Sequence, residues 1–145
     1  MKSEPDVFGI DDLARKKVEG WNGVRNYQAR NFMRAMKKGD RAFFYHSNAN
    51  PSGVAGVMEI AREAYPDPTQ FDPKNDYYEP KSTPDRALWD QVDVRFIEKL
   101  PRFVALDELR RMPALKGMAL FTRSRLSVQP VAADEWNAIV KAARR

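Results

Sequence analysis

The sequence has no cysteine and a single histidine among its 145 residues. Without cysteine, the chain can form neither a disulfide bond nor a thiolate nucleophile, and cysteine-ligated metal sites are excluded. His46 alone cannot supply the paired imidazoles of a zinc site. Apolar runs stay well below the roughly 18 residues that a membrane span needs, and the first residues lack the apolar stretch of a signal peptide. We therefore expect a cytoplasmic protein with no bound metal, no cofactor and no membrane partner.

Charged residues are abundant but unevenly distributed. Lys and Arg outnumber Asp and Glu by 10 to 6 in residues 1–50 and by 9 to 4 in residues 101–145, whereas residues 51–100 contain 6 against 10. If folding brings the two basic ends together, they form a positive face that attracts phosphate groups. An ordinary solvated surface explains the same counts equally well.

Apolar periodicity predicts helices, and the length of 145 residues is typical of one domain, which we place over residues 1–145. In residues 26–38, apolar side chains recur from Ala29 to Met36 at the i, i+3, i+4, i+7 spacing of a buried stripe. Gly9 is expected to cap the first helix. The other helices are predicted over residues 7–16, 106–112 and 134–143.

Alternating apolar residues predict strands over residues 41–47, 54–61, 88–100 and 126–131. Turn-forming residues between the first two strands predict a hairpin. Gly56 within a strand indicates a bulge, and Pro101 is expected to end the third strand. Strands with scattered short helices predict an α+β or barrel-like domain.

Residues 65–87 contain five of the ten prolines, together with Phe71, Tyr77 and Tyr78. They form no periodic element and predict a long irregular loop. Such loops inside compact domains are functional or disordered. The aromatic side chains indicate that this loop packs against the rest of the chain.

Four sequence blocks resemble the signature blocks of EVE-domain proteins, and they occur in the family order. They are KSEP at 2–5, GVRNYQARN at 23–31, FFYHSN at 43–48 and RLSVQPV at 125–131. The resemblance covers essentially the whole chain. Relatives usually carry a few more residues before the first block, so either the first strand is short or the annotated start lies too late.

The resemblance implies a PUA-like fold, a bent mixed β-barrel with short helices covering its openings, related to YTH and ASCH domains. It also implies a non-catalytic module that binds nucleic acid, DNA or RNA. The ligand implied is a modified base such as 5-methyl- or 5-hydroxymethylcytosine, held in an aromatic and polar pocket. We expect the protein to act as a monomer.

A flipped base needs a surface to stack on and hydrogen-bond partners for its edge. Trp21, in a loop before a helix, is the first candidate for the stacking wall, although a Trp that plugs the core fits the same position. If it is the wall, Trp21→Ala is expected to abolish base preference and leave the fold intact. Asn26 offers a donor and an acceptor but suits a helix N-cap equally well.

The remaining candidates line the pocket or contact phosphates. By analogy with YTH domains, Ser3 and Glu4 end the first strand beside the base edge. The other pocket candidates are Tyr27, His46, Ser47, Leu126 and Ser127. The phosphate candidates are Arg25, Arg30, Arg123 and Arg125.

Two other functions stay open. A small hydrolase or nucleotide-processing enzyme would use His46 with Ser47 and a carboxylate such as Asp93. Because neighbouring strand residues point to opposite faces, His46 and Ser47 do not meet readily. A protein-interaction module would instead use the aromatic loop at 65–87, and this interpretation gains if the loop is mobile and distant from Trp21.

Overall fold

A computed structural model describes all 145 residues. The strands are β1 Lys2–Ser3, β2 Val18–Gly20, β3 Arg41–His46, β4 Gly53–Pro66 and β5 Asp90–Ala105. They form one sheet in the order β1-β3-β4-β5-β2. β1 runs parallel to β3, and the other neighbours are antiparallel. The two edge strands do not pair with each other, so this mixed sheet is not closed. The predicted α+β class is confirmed.

Short helices cover the sheet. They are α1 Ile10–Lys16, α2 Tyr27–Ala35, α3 Leu106–Arg110, α4 Ala119–Thr122 and α5 Ala133–Ala143, with 3-10 turns at Pro68–Phe71 and Pro113–Leu115. Gly9 caps α1, as predicted, and Asn26 caps α2. The longest helix, α5, has 11 residues, and none combines the length and hydrophobicity required to cross a bilayer.

The sheet bends because β4 and β5 lose their register at four places. One shift lies at Gly56, where a bulge was predicted. A Cβ at Gly56 would lie 2.3 Å from the Ile10 Cδ1 atom. Glycine is therefore required at this position for α1 to pack directly against the bend.

Each face of the sheet carries its own apolar core. On β3, Phe44 belongs to the core under α1 and α2, whereas Phe43 and Tyr45 belong to the core under α5. Trp136 of α5 stacks on Phe43 with ring centroids 3.8 Å apart. The alternation predicted for this strand is confirmed.

β4 and β5 both run beyond their predicted ends, and one predicted strand is absent. β5 continues past Pro101 to Ala105, because the proline stands where pairing with β4 is interrupted, between Lys99 and Val104. The missing N–H of Pro101 therefore removes no hydrogen bond of the sheet. Residues 126–131 form no strand, since their one backbone bond to the sheet is donated by Lys2 N–H to Ser127 O at 2.9 Å.

The loop at residues 65–87 packs against the domain, as its aromatic residues predicted. Gln70 is completely buried and serves as its anchor. Its amide nitrogen donates to the carbonyl oxygens of Asp67 and Trp89, and its oxygen accepts from the Ser82 hydroxyl and the Trp89 amide. Fully paired buried groups of this kind hold a loop in one conformation.

Candidate nucleic-acid interface

An open cleft of about 630 Å³ lies between the edge strands β1 and β2. Its volume is within the range of small-molecule sites. The chain segments that line it come from both basic and acidic parts of the sequence. The lining residues are Lys2, Ser3, Glu4, Val7, Phe8, Lys16, Glu19, Gly20, Trp21, Asn22, Gly23, Val24, Arg25, Ser47, Tyr77 and Ser127.

Trp21 is both a core residue and part of the cleft wall. Its side chain is only 7% exposed and meets Phe44 edge-on, with centroids 5.3 Å apart. The indole N–H donates no hydrogen bond within the chain, and Gln91 Oε1 is the one buried polar side-chain atom without a partner. The indole N–H is therefore exposed to solvent, and the cleft is the opening that Trp21 lines. It can donate to a ligand in that cleft.

Ser3, Ser47 and Ser127 come together at one end of the cleft through backbone bonds. Ser47 N–H donates to Ser3 O at 2.9 Å, and Lys2 N–H donates to Ser127 O at 2.9 Å. The Ser3 hydroxyl is already used, because it donates to Phe8 O at 2.6 Å. The hydroxyls of Ser47 and Ser127 make no bond within the chain, so both can donate to or accept from a ligand.

Both signs of charge line the cleft. Lys16 Nζ lies 2.8 Å from Glu19 Oε2, and this hydrogen bond raises the pKa of Lys16. Lys2 Nζ donates to Ser124 O at 2.7 Å, and burial lowers the pKa of Lys2. Glu4 accepts a hydrogen bond from the Asn48 amide. Cations at the rim and carboxylates beside them suit a ligand with both phosphate and amino groups.

Arg25 lines the cleft, but its guanidinium donors are occupied. Nε and Nη2 donate to Tyr77 O, Nη2 also donates to Thr69 Oγ1, and Nη1 donates to Val24 O and to Asp67 Oδ2. These five bonds use all five donors of the group. Arg25 therefore has no N–H donor left for a phosphate, which counts against its predicted role as a phosphate ligand. Arg25 holds the 65–87 loop against the cleft.

Tyr77 lines the cleft and was missed by sequence reasoning. Its ring lies against Gly23, where a Cβ would approach the ring to 2.7 Å. Gly23 adopts φ +82°, and its N–H donates to the buried Asp67 carboxylate at 2.8 Å. The aromatic content of the 65–87 loop was the available signal, but Tyr77 meets Gly23 across more than 50 residues of chain. The loop lies beside Trp21, so the protein-interaction hypothesis loses the support that a distant loop would have given it.

Asn26, Tyr27 and Arg30 are not brought into the cleft. Asn26 Oδ1 accepts the Ala29 N–H at 2.9 Å, which is the N-cap role that competed with base recognition. Tyr27 stacks on Trp89 with centroids 4.7 Å apart, on a neighbouring surface. Arg30 lies over the Tyr27 ring and donates to Leu88 O at 2.8 Å, so it too is tied to the loop end.

His46 and Leu126 have structural positions. His46 Nε2 accepts the Ile10 N–H at 3.1 Å, and His46 lines a separate hollow with Phe103. Burial lowers the pKa of His46, with a smaller lowering by Lys99 and an opposing effect of Asp11. Leu126 lies in the core, 4% exposed.

The hydrolase arrangement is not formed. His46 makes no hydrogen bond to Ser47, which lines the other hollow, and Asp93 accepts instead from the Tyr65 hydroxyl at 2.5 Å. A triad requires the three groups in one hydrogen-bonded chain. The structure brings together no group of three His, Asp or Glu side chains that could hold a metal ion.

Arg123 and Arg125 are exposed and lie close to Ser127 in the chain. Neither forms an ion pair within the protein. The Arg123 guanidinium faces the Gln28 side-chain amide. Their position next to the cleft, without a carboxylate partner, is consistent with the predicted phosphate contacts.

A model of the family described as EVE domain matches residues 1–142. The chain belongs to the EVE family. Its EVE relatives include thymocyte nuclear protein 1 of Homo sapiens, 46% identical over 159 residues, with 97% of this chain and 71% of the relative covered. The protein of the same name from Danio rerio is 48% identical, with 97% and 69% covered.

Solved structures of EVE-like proteins superpose closely on this chain. Human THYN1 in complex with 5-methylcytosine-containing DNA matches with a TM-score of 0.97 and 46% identity, over 100% of this chain and 96% of that one. A hypothetical protein from Leishmania major matches with a TM-score of 0.96 and 49% identity, over 99% and 92%. The bent mixed sheet with its covering helices is therefore the fold of these relatives.

Proposed function

We propose that this EVE-family chain is a non-catalytic module that binds nucleic acid carrying a modified cytosine. The modified base occupies the cleft between β1 and β2, with Trp21 at its wall. The observation that carries this proposal is the open cleft at Trp21 in a chain that superposes, over its whole length, on a relative bound to 5-methylcytosine-containing DNA.

The chemistry of the cleft suits a base edge. The free indole N–H of Trp21 and the free hydroxyls of Ser47 and Ser127 supply hydrogen-bond partners. Phe8 and Tyr77 supply apolar surface at the opening. A flipped base needs both kinds of contact. RNA as an alternative to DNA, a cytoplasmic location and a monomeric state all stay predictions. The relatives named above are called nuclear proteins.

The first experiment replaces Trp21 by Phe. Because the indole is part of the core, Trp21→Ala would open a cavity and cost about 3–5 kcal/mol of stability, so the expectation of an intact fold for that variant does not hold. Trp21→Phe keeps a ring against Phe44 and removes the N–H donor. Losing one hydrogen bond weakens binding by about 0.5–1.5 kcal/mol.

Affinities are measured for matched DNA and RNA oligonucleotides that contain one cytosine or one 5-methylcytosine. The unmodified protein is expected to prefer the methylated strand, and Trp21→Phe to lose roughly 3- to 10-fold on it. Trp136→Phe is the control, since Trp136 stacks on Phe43 under α5, away from the cleft. Equal binding of modified and plain strands by the unmodified protein contradicts the function. Unchanged binding by Trp21→Phe contradicts the role of the indole.

A further inference from the structure

Residues 110–133 hold five basic residues and no acidic one. The five are Arg110, Arg111, Lys116, Arg123 and Arg125. None of them takes part in an ion pair within the protein. This segment therefore presents unneutralised positive charge to solvent, and none of the five cations lines the cleft described above.

Arg110, Arg111 and Lys116 line a third hollow, a groove of about 560 Å³. Its other lining residues are uncharged, and Phe121 and Leu120 provide apolar surface within it. The nearby carboxylate of Glu108 is occupied by Arg102, whose two terminal nitrogens donate to it at 2.7 and 2.6 Å. The groove thus has three free cations and no competing carboxylate in its lining.

The groove lies next to the Trp21 cleft. Lys2 lines the cleft and Ser124 lines the groove, and Lys2 Nζ donates to Ser124 O at 2.7 Å. Ser127, three residues further along the chain, again lines the cleft. A strand that places one base in the cleft therefore passes the groove when its backbone leaves on this side.

The chemistry of the groove favours phosphodiester groups. Free guanidinium and ammonium groups without acidic neighbours attract phosphates strongly, and each contact releases counterions from the nucleic acid. We propose that this groove binds the backbone of the same nucleic-acid strand whose modified base occupies the cleft. The inference rests on the proposed function for the identity of that strand, and it assigns Arg110, Arg111 and Lys116 to backbone phosphates.

The test compares two double variants with the same change of charge. Arg110→Glu/Arg111→Glu reverses two groove cations. Lys37→Glu/Lys38→Glu reverses two exposed cations that line neither hollow and form no ion pair. Affinity is measured at several salt concentrations for a short and a long 5-methylcytosine oligonucleotide, after thermal unfolding has shown that both variants fold. If Arg110→Glu/Arg111→Glu does not fold, Arg110→Gln/Arg111→Gln replaces it in the test.

The groove variant is expected to bind the long strand at least tenfold more weakly. The slope of log K against the logarithm of the salt concentration should decrease in magnitude by about 2. Its ratio of affinities for methylated over plain strands should stay that of the unmodified protein. The inference is overturned if the groove variant and the Lys37/Lys38 control bind nucleic acid alike. A groove that binds an acidic protein instead would give this same result. Loss of affinity in the groove variant, without any methyl preference in the unmodified protein, would support the groove and refute the modified-base function.

Discussion

Arginines before and after the acidic middle of the chain differ in what their guanidinium groups contact. Arg25, Arg30 and Arg34 each bind the stretch that begins at Asp67 and ends at Asp90. The arginines of residues 110–133 have no carboxylate partner. The first group holds the fold together, whereas the second remains available to a ligand. The two basic ends of the sequence therefore do not contribute equally to a positive face.

The acidic middle explains the difference. Asp67 is fully buried and pairs with Arg25 at 3.0 Å, and Asp90 pairs with Arg34. Two of the ten cations of the first 50 residues are thus paired with carboxylates of the acidic middle. Residues 110–133, by contrast, keep all five of their cations without a carboxylate partner.

Arg25→Ala is expected to have the largest effect on stability. It leaves the buried Asp67 carboxylate without its ion-pair partner and removes five hydrogen bonds, four of them to the loop. Breaking a buried pair on one side costs about 3–5 kcal/mol. Urea unfolding measures the loss. A variant as stable as the unmodified protein would show that the loop does not depend on Arg25.

Gly23→Ala is expected to have an intermediate effect that tests the contact with Tyr77. The positive φ of Gly23 costs an alanine about 1–2 kcal/mol, and the new Cβ would displace the Tyr77 ring from the cleft. Unfolding and affinity for the methylated strand are measured together.

Gly39→Ala is the matched control, because Gly39 has φ +96° and no atom within 4 Å of a Cβ. Both variants should lose stability, but only Gly23→Ala should lose affinity. If the two behave alike in binding, Tyr77 contributes nothing to the cleft.

Arg125→Ala is expected to have the smallest effect on stability, within about 0.5 kcal/mol. Affinities for methylated and plain strands should fall by the same few-fold factor, and the salt slope should fall by about 1. A destabilisation close to that of Arg25→Ala would remove the distinction between the two groups of arginines.

The sequence predicted the part of the cleft that depends on local pattern and family blocks. Ser3, Ser47 and Ser127 line it because the blocks that contain them end at the same side of the sheet, and Trp21, predicted from its place in the loop before a helix, lines it too. Asn26 was misplaced because a helix start captures its side chain first. For an asparagine at a helix start, the short-range N-cap hydrogen bond predicts the side chain's role better than its ability to donate to and accept from a base.

Other errors have long-range causes. Tyr77 and the occupied donors of Arg25 depend on how the 65–87 loop packs against the loop before α2, which no periodicity encodes. His46 was counted with Ser47, although the last residue of β3 faces Ile10 of α1 and the next residue lies beyond the strand. Alternation along the strand correctly predicted that neighbouring residues of β3 lie on opposite faces. It did not predict which parts of the chain pack against each face.

The serine end of the cleft is assembled from three segments, around residues 3, 47 and 127, joined by backbone bonds. No contiguous fragment of the chain carries all three, so the ligand can recognise only the completely folded domain. Occupancy and folding are consequently linked by mass action. A ligand present at 100 times its dissociation constant would raise the unfolding free energy by about 2.7 kcal/mol, and thermal protection by candidate strands becomes a direct screen for the base that fits.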